Sequence, residues 1–297
     1  MRRLIAKGCL FSTLILVILI CAAIGFVAVQ GRRTPTGRPD YVALGSSYAA
    51  GAGLGALQKD SPLLCARSVA GYPQQLSRAL NMPIVDMTCG GAVTANLLHG
   101  GQFFQGPQIR TITPQTRLVT ITVGGNDVNF VGDMSMLSLR RADSVTGWLA
   151  RRLWSGPKTE AERDFTKLHR ELVELIGAIR KQAPSARIVV ATYPTVLPAK
   201  GTCAQLGLSV AEVDLMRGVE TELASVTRAA AKQGGAILVD MNALGAAHNA
   251  CAATPWTHGV AAFSDAPFHP TLAGAKATAA AIAAALRRSP AGVAAVR

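Results

Sequence analysis

Arg117-Leu118-Val119-Thr120-Ile121-Thr122-Val123-Gly124-Gly125-Asn126-Asp127 is an apolar and β-branched run that stops abruptly at two glycines and a polar pair. Such a run, with no alternation of polar and apolar residues, predicts a strand covered on both faces, as in the middle of a parallel sheet. Arg187–Thr192 repeats the pattern through Ile188-Val189-Val190-Ala191, and Tyr41–Gly45, Pro83–Met87 and Ala236–Asp240 read as further strands. Between them, Glu160–Lys181 sets Phe165, Leu168, Leu172, Leu175, Ile176 and Ile179 at three- and four-residue steps, the signature of a helix with one apolar face. Val210–Gln233 and Leu272–Arg288 follow the same rule, and Gly234-Gly235 is a helix stop. Strands alternating with helices imply right-handed crossovers. The predicted fold is a three-layer α/β/α sandwich around a doubly wound, mainly five-stranded parallel sheet. Residues 131–159, with Trp148, Arg151, Arg152 and Trp154, read as an insertion that either covers the site or lies on the surface.

Bulk composition narrows the classes. With 49% hydrophobic and 16% charged residues, the 297-residue chain is not intrinsically disordered. Leu10–Val29 carries no charge and, as a helix, spans roughly 30 Å, the hydrocarbon thickness of a bilayer. Arg2, Arg3 and Lys7 precede it, as in a signal peptide or N-terminal anchor. Cys21-Ala22-Ala23 falls inside the apolar run and Val27-Ala28-Val29-Gln30 is a poor cleavage site, so an uncleaved anchor is the preferred expectation and secretion after cleavage the alternative. The expected organisation is a signal-anchor or signal peptide at 1–30, a linker at 31–39, one catalytic domain at 40–290 and a tail at 291–297. The net charge of +13 suits an anionic lipid surface or an acidic cell wall. No nucleic-acid recognition motif is present, so no nucleic-acid partner is expected, and the expected state is a monomer.

Cys65, Cys89, Cys203 and Cys251 form an even set in a domain expected outside the cytosol, which favours disulfides. Three pairings are possible. The sequence-local one, Cys65–Cys89 and Cys203–Cys251, closes a loop beside each end of the proposed site. No CxxC or HxxxH spacing occurs, and neither a metal nor a cofactor is expected.

In open parallel sheets, ligands sit beyond the carboxyl ends of the strands. Four segments at such ends carry groups that suit ester cleavage: Gly45-Ser46-Ser47-Tyr48, Cys89-Gly90-Gly91-Ala92, Gly124-Gly125-Asn126-Asp127 and Asp265-Ala266-Pro267-Phe268-His269-Pro270. A serine hydroxyl needs a base to take its proton during attack, so Ser47 is the candidate nucleophile and His269 the candidate base. Pro270 suits the first turn of the following helix and would hold His269 at a rigid junction. Asp265 is the candidate acid partner of the imidazole, with a backbone carbonyl as the alternative. The N–H groups of Ser47 and Gly91 and the side-chain amide of Asn126 are candidate donors to the developing oxyanion. His248 and His258, near Cys251, are weaker candidates for the pocket wall. Gly51-Ala52-Gly53-Leu54-Gly55-Ala56 fits G-x-G-x-x-A, but it starts six residues past Gly45 and the run after it breaks at Pro62, against a dinucleotide site. No serine sits in a G-x-S-x-G elbow, against the α/β-hydrolase fold.

The four blocks, in this order from Tyr41 to about Leu286, resemble the SGNH hydrolases, also called GDSL-type lipases and esterases. The resemblance implies an SGNH/flavodoxin-like fold, with Ser47 as nucleophile, Gly91 and Asn126 as oxyanion donors and His269 as base. Tyr193-Pro194 and the His248…Cys251…Trp256 region look like the disulfide-bearing secreted actinobacterial lipases of this family, which supports the sequence-local cysteine pairing. Ser46 stands where the family usually has Asp, and Asp265 lies four residues before the histidine where the family's acid is commonly three before. The implied activity is acyl-enzyme hydrolysis of a lipid or fatty-acyl ester. The alternatives are an acetyl esterase acting on cell-wall polysaccharide and a catalytically silent, membrane-anchored binding protein.

Overall fold

Neighbouring side chains on a strand point to opposite faces, so a sheet covered on both sides must feed two separate cores. The computed structural model, which describes residues 2–33, 35–260 and 266–289, contains both. Its strands are β1 (Tyr41–Gly45), β2 (Ile84–Asp86), β3 (Leu118–Thr122), β4 (Arg187–Ala191) and β5 (Ile237–Val239). The helices are α1 (Arg2–Gly31), α2 (Ser47–Ala50), α3 (Tyr72–Leu80), α4 (Thr94–His99), α5 (Phe130–Leu139), α6 (Val145–Leu153), α7 (Phe165–Gln182), α8 (Val210–Gln233), α9 (Met241–Leu244) and α10 (Leu272–Arg288). All strand pairs are parallel, in the order β2-β1-β3-β4-β5. Val42, Leu44, Val119, Ile121, Ile188 and Val190 face one core, completed by the apolar faces of α7 and α8. Tyr41, Ala43, Leu118, Val189 and Ala191 face the other, completed by Tyr72 and Leu76 of α3 and by Ala279 and Ile282 of α10. The three-layer doubly wound sandwich is therefore the observed fold.

The strand order reverses between β1 and β3, and the crevice at such a switch point is where open α/β sheets bind ligands. Two disulfides brace the loops there. Cys65–Cys89 ties the loop after α2 to the turn after β2, and Cys203–Cys251 ties the loop after β4 to the one after α9. Together with the N-terminal apolar helix they fit an extracytoplasmic protein.

Local chemistry moves several expected boundaries. The helix expected from Glu160 begins at Phe165, because the Asp164 carboxylate caps it by accepting the Lys167 N–H at 2.7 Å. Arg163 is thereby freed to turn inward, where its guanidinium pairs with Asp133 at 2.6 Å and donates to the Val128 carbonyl. Pro270 is not in the first turn of α10: Thr271 caps that helix through Gly274 N–H, and Pro270 bridges to Thr257 instead. The insertion folds as α5 and α6, with Arg140 stacked 5.5 Å from the Trp154 ring. The expected tail, 291–297, lies outside the described residues.

The Asp133–Arg163 pair is almost wholly buried, so removing one partner strands a charge away from water. Arg163→Met is expected to cost about 3–5 kcal/mol of stability. Urea unfolding followed by circular dichroism checks this as a lower midpoint with an unchanged slope.

Candidate active site

Gly45 closes β1 in a conformation that only glycine tolerates easily. Its φ is +145°, and a Cβ there would lie 2.3 Å from the Thr122 carbonyl oxygen. The close approach of β1 and β3 at their carboxyl ends depends on that missing side chain. The Gln108 side chain then grips Gly45 from outside, accepting its N–H at 2.9 Å and donating to its carbonyl at 3.1 Å. The chain turns directly into α2, which begins at Ser47.

Behind the serine, Ser46 is fully buried and its hydroxyl lies 2.9 Å from the Tyr193 hydroxyl. Tyr193 also accepts the Gly125 N–H at 3.1 Å. Burial pushes the Tyr193 phenol up to about 12, so it keeps its proton and can donate to Ser46 while accepting from Gly125. One phenol thus joins the ends of β1, β3 and β4. Tyr48 packs edge-on against Tyr193 and donates to the Phe268 carbonyl, whose residue holds a left-handed φ of +59°.

That contact delivers the next residue, His269. Its Nε2 lies 2.7 Å from Ser47 Oγ, and its Nδ1 lies 2.8 Å from the Pro267 carbonyl oxygen. A carbonyl only accepts, so Nδ1 carries the proton and Nε2 presents its lone pair to the serine hydroxyl. Burial lowers the imidazole below its ordinary value of 6.5; the Pro267 bond opposes this and nearby His258 reinforces it. The imidazole therefore favours its neutral form at neutral pH.

His269 does not stand at a strand end, as the sequence pattern suggested. It lies well beyond β5, and its backbone is pinned by His258 N–H donating to the His269 carbonyl at 2.8 Å. His258 is thus beside the site, whereas His248 stacks on Trp256 at 4.3 Å. Asp265 lies outside the described residues; of the two ring partners considered, the backbone carbonyl is the one seen at Nδ1.

The two other loops are laced together. Asn126 Nδ2 donates to the Ala92 carbonyl at 2.9 Å, and the Asp127 carboxylate accepts the Thr94 N–H at 2.9 Å. Gly91, at φ +77°, sits in the turn those bonds hold. Burial raises the Asp127 carboxyl despite the bond from Thr94. The glycine run at 51–55 has a packing role: a Cβ on Gly53 would lie 2.5 Å from Ala266 N, beside the histidine loop. Gln108, Tyr193, Tyr48 and Asp127 escape sequence reasoning as structural members of the site. Tyr48, Asp127 and Tyr193 fall within the quoted segments, but their partners are far away in sequence, so the contacts they make leave no local sign. Among the described residues, no group of His, Cys, Asp or Glu is arranged to hold a metal ion.

A serine and an imidazole meeting beyond the switch point of an open parallel sheet fit a serine hydrolase of the α/β class. Residues 43–277 match the GDSL-like Lipase/Acylhydrolase family. Lipase 2 of Streptomyces coelicolor is 32% identical over 259 residues, covering 83% of this chain and 85% of its own. The crystal structures of the extracellular lipase of Streptomyces rimosus and of phospholipase A1 from Streptomyces albidoflavus each superpose with a TM-score of 0.66 at 28% identity, covering 82% of this chain and 98% of theirs. The chain belongs to the GDSL-like lipase/acylhydrolase family and is a carboxylic ester hydrolase.

Because the folded imidazole is held below 6.5, it stays unprotonated to lower pH than a free histidine. A profile of kcat/KM against pH on a soluble ester is expected to show an acid limb with an apparent pKa beneath 6.5. An acid limb centred above 6.5 would contradict the assignment.

Proposed function

We propose that the enzyme hydrolyses a lipid or fatty-acyl ester through an acyl-enzyme formed on Ser47. The observation that carries this reading is the 2.7 Å hydrogen bond from the Ser47 hydroxyl to His269 Nε2. His269 takes the proton as Ser47 Oγ attacks the ester carbonyl, forming the C–O bond of a tetrahedral intermediate. The oxyanion is received by the N–H groups of Ser47 and Gly91 and by the Asn126 amide, which keeps a second proton beside the one given to Ala92. Collapse expels the alcohol, protonated by His269. Water, deprotonated by the same nitrogen, then attacks the acyl-enzyme and releases the acid and Ser47. The Pro267 carbonyl orients the ring and receives partial charge from the imidazolium that forms in each step.

The lipid assignment is supported by relatives named as lipases and a phospholipase, and by the apolar helix at the N-terminus. We further propose that this helix, with Leu14–Gly31 long and apolar enough to cross a membrane, anchors the enzyme with its catalytic domain outside the cytosol.

Ser47→Ala is expected to lower turnover of p-nitrophenyl octanoate by about 10³-fold or more, and Asn126→Ala by about 10²–10³-fold. A faster rate on the acetyl than on the octanoyl ester would instead favour the polysaccharide acetyl esterase.

With Pro267 holding the ring, Asp265→Asn is expected to stay within about tenfold of the parent rate. A loss near 10⁴-fold, the scale of removing a triad acid, would restore Asp265 to that role.

A further inference from the structure

The end of α1 is not free of the catalytic domain. Phe26, Val27 and Gly31 pack against Pro62, Leu63, Leu64 and Phe103, and a small apolar cavity lies between them. The fit is close: a Cβ on Gly31 would sit 1.9 Å from the Phe103 carbonyl oxygen. Beside this contact the surface is apolar. Leu63, Leu64 and Phe104 are 57%, 46% and 57% exposed. Burying apolar side chains is what a folded chain ordinarily does, and a cluster of exposed ones marks a contact surface.

Phe103 and Phe104 both adopt left-handed backbone, at φ +49° and +61°, a conformation uncommon for bulky residues and found where the surroundings enforce it. The bend packs Phe103 against the core while turning Phe104 outward.

The position of this patch is set by the helix. Phe26 and Gly31 are separated by about 7–8 Å along a helix rising 1.5 Å per residue. Residues touching both therefore lie level with the last turn and a half of the apolar span, the depth at which amphipathic surfaces enter the boundary between headgroups and acyl chains. Arg32 and Arg33, both exposed, follow at the level of the phosphates. The patch also adjoins the site. Gln102 donates to the Gly90 carbonyl at 2.7 Å, and Gly90 N–H donates to the Cys65 carbonyl at 2.9 Å, so both apolar segments rest on the Gly90-Gly91 turn.

Building on the lipid-ester reading, we propose that Leu63, Leu64, Phe103 and Phe104 form a bilayer-docking face. It seats the Gly91 side of the active site on the membrane that α1 spans, so that the enzyme takes its substrate from that leaflet. The occupant of the patch is lipid, and α1 sets its depth.

The test uses the full chain reconstituted in phosphatidylcholine vesicles. Each tryptophan probe is introduced both alone and together with Ser47→Ala, and the parent without a probe supplies the baseline. Phe104→Trp and Leu63→Trp are expected to gain fluorescence that lipids brominated high on the acyl chain quench. Leu238→Trp, on the β5 edge at the other side of the sheet, is expected to show no quenching. Quenching in the Ser47→Ala background separates docking from catalysis, because it persists even where the esterase reading fails.

In the second arm, Leu63→Asp with Phe104→Asp is expected to slow hydrolysis of a long-chain ester held in the vesicles by tenfold or more. The rate on soluble p-nitrophenyl butyrate should stay within twofold. Absence of quenching at both positions, or an unchanged rate on the vesicle ester, would overturn the proposal. So would a dimer that the double substitution dissociates, which would assign the patch to a second copy of the chain.

Discussion

One hydrogen bond, between Ser47 and His269, spans 222 residues of sequence, and most of the architecture around the crevice serves to bring its two ends together. A single bond of this kind contributes only about 1 kcal/mol net, far too little to fold the chain around it. The geometry is imposed instead by rigid neighbours. Gly45 lets β1 and β3 approach; Tyr193 links Ser46 to Gly125; Tyr48 reaches over to hold the Phe268 carbonyl. A disulfide on either side limits how far the flanking loops can separate.

These supports share a logic. Each ties one part of the crevice to another, by close backbone approach, a buried hydrogen bond or a covalent bridge. Buried polar groups left unpaired are costly, so such networks rigidify where they are satisfied. Ser46 illustrates this: it forms a neutral hydroxyl pair with Tyr193, adding no charge behind Ser47. The Asp133–Arg163 pair has a related role farther from the crevice, where it ties the turn bearing Asn126 to the entry of α7 through the Val128 carbonyl.

Much of this is legible in the residues. The unbroken apolar runs at β3 and β4 identify central parallel strands, and the three- and four-residue apolar steps of α7, α8 and α10 match their observed inner faces. Ser47 and His269 stand out from residue type and order alone. The start of α7 is hidden because a capping aspartate and an inward arginine look like any helical charges in a row. The place of Pro270 is ambiguous because the fixed φ of proline suits a first helical turn and an extended segment alike.

The sequence by itself determined the element types, the doubly wound sandwich and the family, and singled out Ser47 and His269 as candidates, because hydrophobic period and turn chemistry are local properties. Tertiary structure alone decided what touches what. It chose the Pro267 carbonyl at the imidazole, the Tyr193 link between three strands, the Gln108 grip on Gly45 and the seating of α1 on Phe103. Those contacts join segments far apart in the chain, where the partner of a polar group depends on how the layers pack and leaves no trace in the neighbouring residues.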